Sequence, residues 1–185
     1  SGYMTELKKN GLTINRKIVN HIAKSVSDGL SYLHSCKIVH RALKSKSILL
    51  RFLPGGKIEV KISSFGFRKI INEITGVAQT SETKEVSLRY FPPECHSRVY
   101  KKNDFEVLQS ADTYSYGMIL WEMFEMRVPF SEHSLHSAMK LLVQGQQETI
   151  PDACPKPYEM LISKCWKVAF NERPKSCEVS NELQE

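Results

Sequence analysis

The stretch "HRALKSKS", residues 40–47, decides how the rest of this chain is read. Before it, residues 16–34, "RKIVNHIAKSVSDGLSYLH", place Ile18, Val19, Ile22, Ala23, Val26, Leu30 and Leu33 at the spacing of one apolar helix face. After it come "SILLRF", the turn Pro54-Gly55-Gly56 and "KIEVKI", in which Val60 and Ile62 alternate with lysines. That pattern predicts a β-hairpin. The octapeptide is therefore a loop between a helix and a hairpin, and Ala42 stands at its centre.

Further along, residues 64–94 are rich in Ser, Thr and charge without sustained periodicity, which predicts a long loop. Ser110 is placed to cap a helix through "ADTYSYGMILWEMFEM", which is apolar nearly all round and so predicted to be buried. "SLHSAMKLLVQG" predicts a helix with Leu135, Ala138, Met139 and Leu142 on one face and Gly145 as its stop. "PKPYEMLISKCW" repeats the pattern with Tyr158, Leu161, Ile162, Cys165 and Trp166, and "SCEVSNELQE" reads as a final helix cut short.

At 185 residues, 41% hydrophobic and 25% charged, the chain is most simply one globular domain over residues 1–185. No apolar run approaches the length of a membrane span and no signal-peptide pattern opens it, so a cytoplasmic protein is expected. The opening "SGYMTEL" lacks an initiator methionine, which suggests a piece of a longer protein. The net charge of +6 reads as a solvated mixed surface, because Lys and Arg are interspersed with Asp and Glu. No nucleic-acid partner is expected. Cys36, Cys95, Cys154, Cys165 and Cys177 form no C-x-x-C pair and suggest reduced thiols. No metal site is expected, since His133 and His136 lack further ligands nearby.

Five stretches, taken in order, resemble the C-terminal lobe of a protein kinase. "YLHSCKIVHRALKSKS" resembles the end of that lobe's first long helix and the catalytic loop H-R-D-L-K-x-x-N. "KISSFGF" resembles the D-F-G strand end, and "LRYFPPE" the A-P-E that closes the activation segment. "SADTYSYGMILWEM" resembles the buried central helix, and "CWKVAFNERP" the late Cys-Trp and Arg-Pro signature. Within the superfamily the wording is similar to the tyrosine-kinase-like group. The mixed-lineage-kinase-domain-like proteins, integrin-linked kinase and the kinase-homology region of receptor guanylyl cyclases are the relatives it suggests.

The resemblance implies a mainly α fold, a kinase C-lobe helical bundle with a short β-hairpin beside the catalytic loop. Residues 1–15 would be the hinge or linker side and 64–94 the activation segment. The N-lobe would be absent, for no G-x-G and no V-A-I-K-like strand occurs in these residues.

The resemblance also implies lost chemistry. The family's catalytic Asp is Ala42 here, and its two Mg²⁺-ligand positions are Ser47 and Ser64. Phosphoryl transfer depends on position and charge, and Mg²⁺ favours carboxylate oxygens over neutral hydroxyls. Weak or absent ATP and Mg²⁺ binding is therefore expected. What the resemblance carries over is architectural: His40 and Phe65 in an apolar spine beside Gly66, Asp112 accepting backbone N–H bonds from the loop, and a Glu94–Arg173 ion pair. Lys44 is retained and expected as a surface cation. Arg41 could meet a phosphate on Thr75, Thr80, Ser81, Thr83 or Ser87. The function implied is a pseudokinase module, a scaffold, allosteric partner or switch that contacts other signalling proteins, among them an active kinase. The alternatives are a weakly active or unconventional Ser/Thr or Tyr kinase, or a regulatory segment of a larger effector.

Overall fold

The computed structural model describes residues 15–63, 87–96 and 104–183. Helix α1 spans Arg16–Ser35, and Asn15 caps it by accepting a hydrogen bond from the Lys17 N–H at 2.8 Å. Its predicted apolar face is buried from Val19 to Leu33, with Ile18 half-buried at its start. The helix closes with Lys37 in the left-handed region, φ 60°, where the Lys37 N–H bonds His34 O and the Ile38 N–H bonds Leu33 O.

Strands β1, Ile48–Phe52, and β2, Ile58–Ile62, pair antiparallel, with Ile48 opposite Ile62 and Leu50 opposite Val60. The turn between them needs Gly55 at φ 79° and Gly56 at φ 75°, conformations that side chains disfavour. Ile62 lies so close to Gly29 of α1 that a Cβ there would sit 2.9 Å from its Cδ1. His21 of α1 also bonds Ile58 O at 2.6 Å. The hairpin is thus fixed against the first helix.

Helix α2, Phe105–Glu125, is the centre of the molecule. Ser110 does not cap it. The helix starts a turn and a half earlier, where the Asp104 carboxylate accepts the N–H groups of Glu106 and Val107. A carboxylate so placed also faces the positive end of the helix dipole. Ser110 instead donates to Phe170 O at 2.6 Å. As expected from its composition, α2 is buried on every side, from Val107 to Met123.

Helix α3, Leu135–Val143, buries Ala138 and Leu142, while Leu135 and Met139 are only half-covered. It ends at Gly145, φ 74°, with the Gln146 N–H on Leu141 O. Helix α4, Lys156–Cys165, buries Tyr158, Leu161, Ile162 and Cys165 against α2. Helix α5, Ser176–Glu182, returns to α1, where the Ser180 hydroxyl meets Asp28 at 2.5 Å. Residues 64–86 of the predicted long loop lie outside the described residues. Its end is ordered, with a 3₁₀ turn at Pro93–His96. Cys154 and Cys165 lie within the core. Among the described residues no helix is long and apolar enough to cross a membrane.

Gly117 marks the closest approach of α2 and α4, since a Cβ there would fall 2.7 Å from the Cys165 Cβ. Gly117→Ala is therefore expected to destabilise the domain by about 1–3 kcal/mol through overpacking, against the usual helix benefit of alanine. A denaturant midpoint equal to or above that of the wild type would contradict this packing.

Candidate functional site

The loop 40–47 is built around one carboxylate. Asp112, one per cent exposed on α2, accepts the His40 N–H at 2.6 Å and the Arg41 N–H at 2.8 Å. It also meets His34 Nε2 at 3.1 Å, and His34 Nδ1 meets the Ser176 hydroxyl at 2.7 Å. Arg41 is held at φ 67°, a conformation that costs a non-glycine residue about 1–2 kcal/mol. The two bonds to Asp112 make it tolerable.

His40 is buried with both ring nitrogens engaged. Nε2 donates to Ser63 O at 3.0 Å, and Nδ1 accepts the Ala42 N–H at 3.3 Å. Burial holds this imidazole below its ordinary pKa, against the opposing pull of the Asp112 charge. Neutral His40 therefore fits its two partners. Its expected spine partner Phe65 lies outside the described residues, as do Gly66, Ser64, Thr75, Thr80, Ser81 and Thr83.

Ala42 follows in this frame, where its methyl offers neither a lone pair nor a proton. The Ser47 hydroxyl is buried and directed at Ala42 O, 3.4 Å away. The Ser47 carbonyl is taken by the Ser63 N–H and hydroxyl, at 2.8 and 3.1 Å. Among the described residues no three His, Cys, Asp or Glu side chains are placed to hold a metal.

Lys44 is not the surface cation expected of it. It is half-buried, and its Nζ donates to the Ser87 hydroxyl at 2.7 Å. Ser87 is two per cent exposed, so it is not presented to solvent as a phosphate acceptor. Most hydroxyls in a polar loop are solvated, and this one is not.

A buried trio went unnoticed in the sequence. Glu122 of α2 accepts the Ser45 hydroxyl at 3.0 Å and the Tyr90 hydroxyl at 2.6 Å. Burial raises the Glu122 pKa above the ordinary carboxylate value, while those two donors pull it down. Tyr90 is itself raised well above the usual phenol value, first by burial and then by the Glu122 charge. A carboxylate within an apolar run is the one signal that could have marked Glu122.

Glu94 and Arg173 meet as a two-pronged pair, Nη1 to Oε1 at 2.7 Å and Nη2 to Oε2 at 2.9 Å. The Arg173 side chain is fully buried, stacks on Tyr114 with 4.9 Å from Cζ to the ring centroid, and donates to Lys167 O and Val168 O.

The frame is thus a central helix whose buried carboxylate orders a His-Arg loop. Residues 3–183 match the family described as protein tyrosine and serine/threonine kinase, and the chain belongs to that family. It is similar to the probable serine/threonine-protein kinase roco8 of Dictyostelium discoideum, 29% identical over 192 residues that cover all of this chain and 10% of that protein. It is 31% identical over 183 residues to the serine/threonine-protein kinase VIK of Arabidopsis thaliana, covering 96% of this chain and 39% of that protein. It is 29% identical over 153 residues to the megakaryocyte-associated tyrosine-protein kinase of Rattus norvegicus, covering 82% of this chain and 30% of that protein. The chain thus spans well under half the length of these relatives.

Removing either partner of the Glu94–Arg173 pair strands a charge and is expected to cost about 3–5 kcal/mol. The double alanine variant should be little worse than the worse single variant, so a denaturant-melt cycle should give a large coupling energy. Losses that add to within about 0.5 kcal/mol would mean the two side chains act independently.

The raised pKa of Glu122 gives a pH signature. Its protonated form stabilises the fold below the ordinary value of 4.5, and that contribution is lost as pH rises through the raised folded value. Glu122→Gln removes this titration. Its stability relative to wild type should therefore climb as pH is raised from the ordinary carboxylate range towards neutrality, read from paired denaturant midpoints. A flat or falling difference would mean that the Tyr90 and Ser45 bonds outweigh burial.

Proposed function

We propose that this chain is the C-terminal lobe of a pseudokinase, a module that works through contacts with other signalling proteins as scaffold, allosteric partner or switch. The observation that carries the reading is Ala42. The loop around it is held to Asp112 by two backbone bonds, yet the residue itself has no proton acceptor. A positioned general base is worth about 10²–10⁴-fold in rate. The buried, inward-turned Ser47 hydroxyl supports the same reading, since it leaves the loop without a ligand for Mg²⁺.

A second reading, a weakly active kinase, is favoured by one observation. Lys44 is retained, half-buried and anchored on Ser87, beside an intact loop frame. Activity would then rest on positioning alone, which can itself contribute much of a rate enhancement. A third reading, a regulatory segment of a larger effector, draws support from relatives many times this chain's length.

Labelled ATP with several protein acceptors separates these readings. The expected outcome is no phosphate transfer above that of a matched Lys44→Ala variant. Calorimetric titration with MgATP should show no low-micromolar, Mg²⁺-dependent binding. Lys44-dependent turnover would establish the kinase reading and end the pseudokinase one.

A further inference from the structure

The last described helix reaches the loop 40–47 through a short run of buried side chains. Ser176, buried at the start of α5, meets His34 Nδ1 at 2.7 Å. His34, also buried, meets Asp112 Oδ2 at 3.1 Å with its other ring nitrogen. The same Oδ2 accepts the His40 N–H at 2.6 Å, while Oδ1 accepts the Arg41 N–H at 2.8 Å. Two side chains therefore separate the Ser176 hydroxyl from the backbone that leads into Ala42.

The chemistry of these groups fixes where the protons lie. An ionised carboxylate only accepts, so His34 Nε2 carries the hydrogen it gives to Asp112. In the neutral imidazole Nδ1 then has only a lone pair, and the Ser176 hydroxyl is the donor to it. The ring is further packed edge-on against Phe105, with 6.4 Å between centroids and 82° between planes. The torsion that turns an Asp carboxylate is soft, so the donors on its two oxygens set its plane. His34 is the one side chain among those donors, since the other two are the backbone N–H groups being held.

We propose that Ser176 is a positioning residue for the loop 40–47, acting through His34 on Asp112, and that α5 sets the order of the loop by this route. Seated on α1, α5 offers its hydroxyl to Nδ1 and fixes the ring, and the fixed ring holds the carboxylate plane that receives His40 and Arg41. Displaced, α5 takes the donor away and leaves Nδ1 a buried acceptor without it, a loss that falls on the ring and then on Asp112. A second buried hydroxyl on α5, Ser180, bonds Asp28 and Lys24 of α1 instead. Attachment of the helix and transmission to the loop thus use different serines. The proposal deepens the reading of this chain as a switch and rests on that reading for its use, with input at α5 and output in the loop.

The test compares Ser176→Thr with Ser176→Val in the full chain, two side chains of one shape that differ by the hydroxyl. Hydrogen exchange of the His40 and Arg41 amides is read relative to the amides of α2. Ser176→Val should speed that exchange by about threefold to tenfold, the worth of one net hydrogen bond, and Ser176→Thr should stay near wild type. Ser180→Ala loosens α5 without touching His34 and should leave the ratio unchanged. With ¹⁵N-labelled histidine, the native His34 ring should carry its proton at Nε2 alone, and Ser176→Val should move its Nδ1 resonance downfield. A native ring protonated at Nδ1 would overturn the proposal. So would a Ser176→Val loop that exchanges no faster than that of Ser180→Ala. Equal acceleration by Thr and Val would overturn it too, because bulk and not the hydroxyl would then be responsible. None of these readouts uses nucleotide, so Lys44-dependent phosphate transfer would end the pseudokinase reading and leave this coupling standing.

Discussion

One buried carboxylate sets the shape of the loop that gives this family its chemistry. Asp112 spends both oxygens on the His40 and Arg41 N–H groups and on His34. Each charge-assisted bond of this kind contributes about 1.5–3 kcal/mol, and losing the acceptor would leave two buried donors unsatisfied. The carboxylate in turn is positioned by α2, which is covered on all sides. The loop conformation, including the left-handed Arg41, therefore belongs to the core. Ala42 can change without disturbing it, because its side chain contributes nothing to the frame.

Four side-chain contacts are among those that tie the segment 87–96 to the rest of the molecule. Ser87 receives Lys44, the Tyr90 hydroxyl reaches Glu122, the Tyr90 carbonyl receives Ser115, and Glu94 holds Arg173. Only the first two involve residues from or next to the loop. These bonds depend on hydrogen-bond partners within the fold and not on the side chain at position 42.

Much of the fold was legible because it is written in local patterns. The faces of α1 and α4 recur with helical period, and the Pro-Gly-Gly turn announces the hairpin. The burial of α2 follows from an apolar run too long for any exposed helix. Local patterns also misled. Ser110 is an acceptable cap by residue type, but Asp104 stands nearer the true start and offers a charge. The site was legible in part. The frame residues His40, Asp112, Glu94 and Arg173 came from ordered motifs, and the structure brings Asp112 to the loop and Glu94 to Arg173. Partnerships such as His34–Ser176, 142 positions apart, and Ser45–Glu122, 77 apart, join residue types that are ordinary on surfaces. Nothing in composition or period marks such a pair, and only the packing of α5 on α1 or of α2 beneath the loop creates it.

The position of Arg173 has a consequence for how the domain is made. A ribosome delivers this chain from its amino end, so Glu94 emerges 79 residues before the guanidinium that will hold it. Through that interval the segment 87–96 can be held by the loop and by α2, but its far end has no counter-charge waiting. At synthesis rates of about 5–20 residues per second, the delay lasts several seconds, long compared with helix formation. The nascent domain thus passes through a stage in which most of its core is assembled while one carboxylate awaits its partner. Its final closure is a late event, timed by translation.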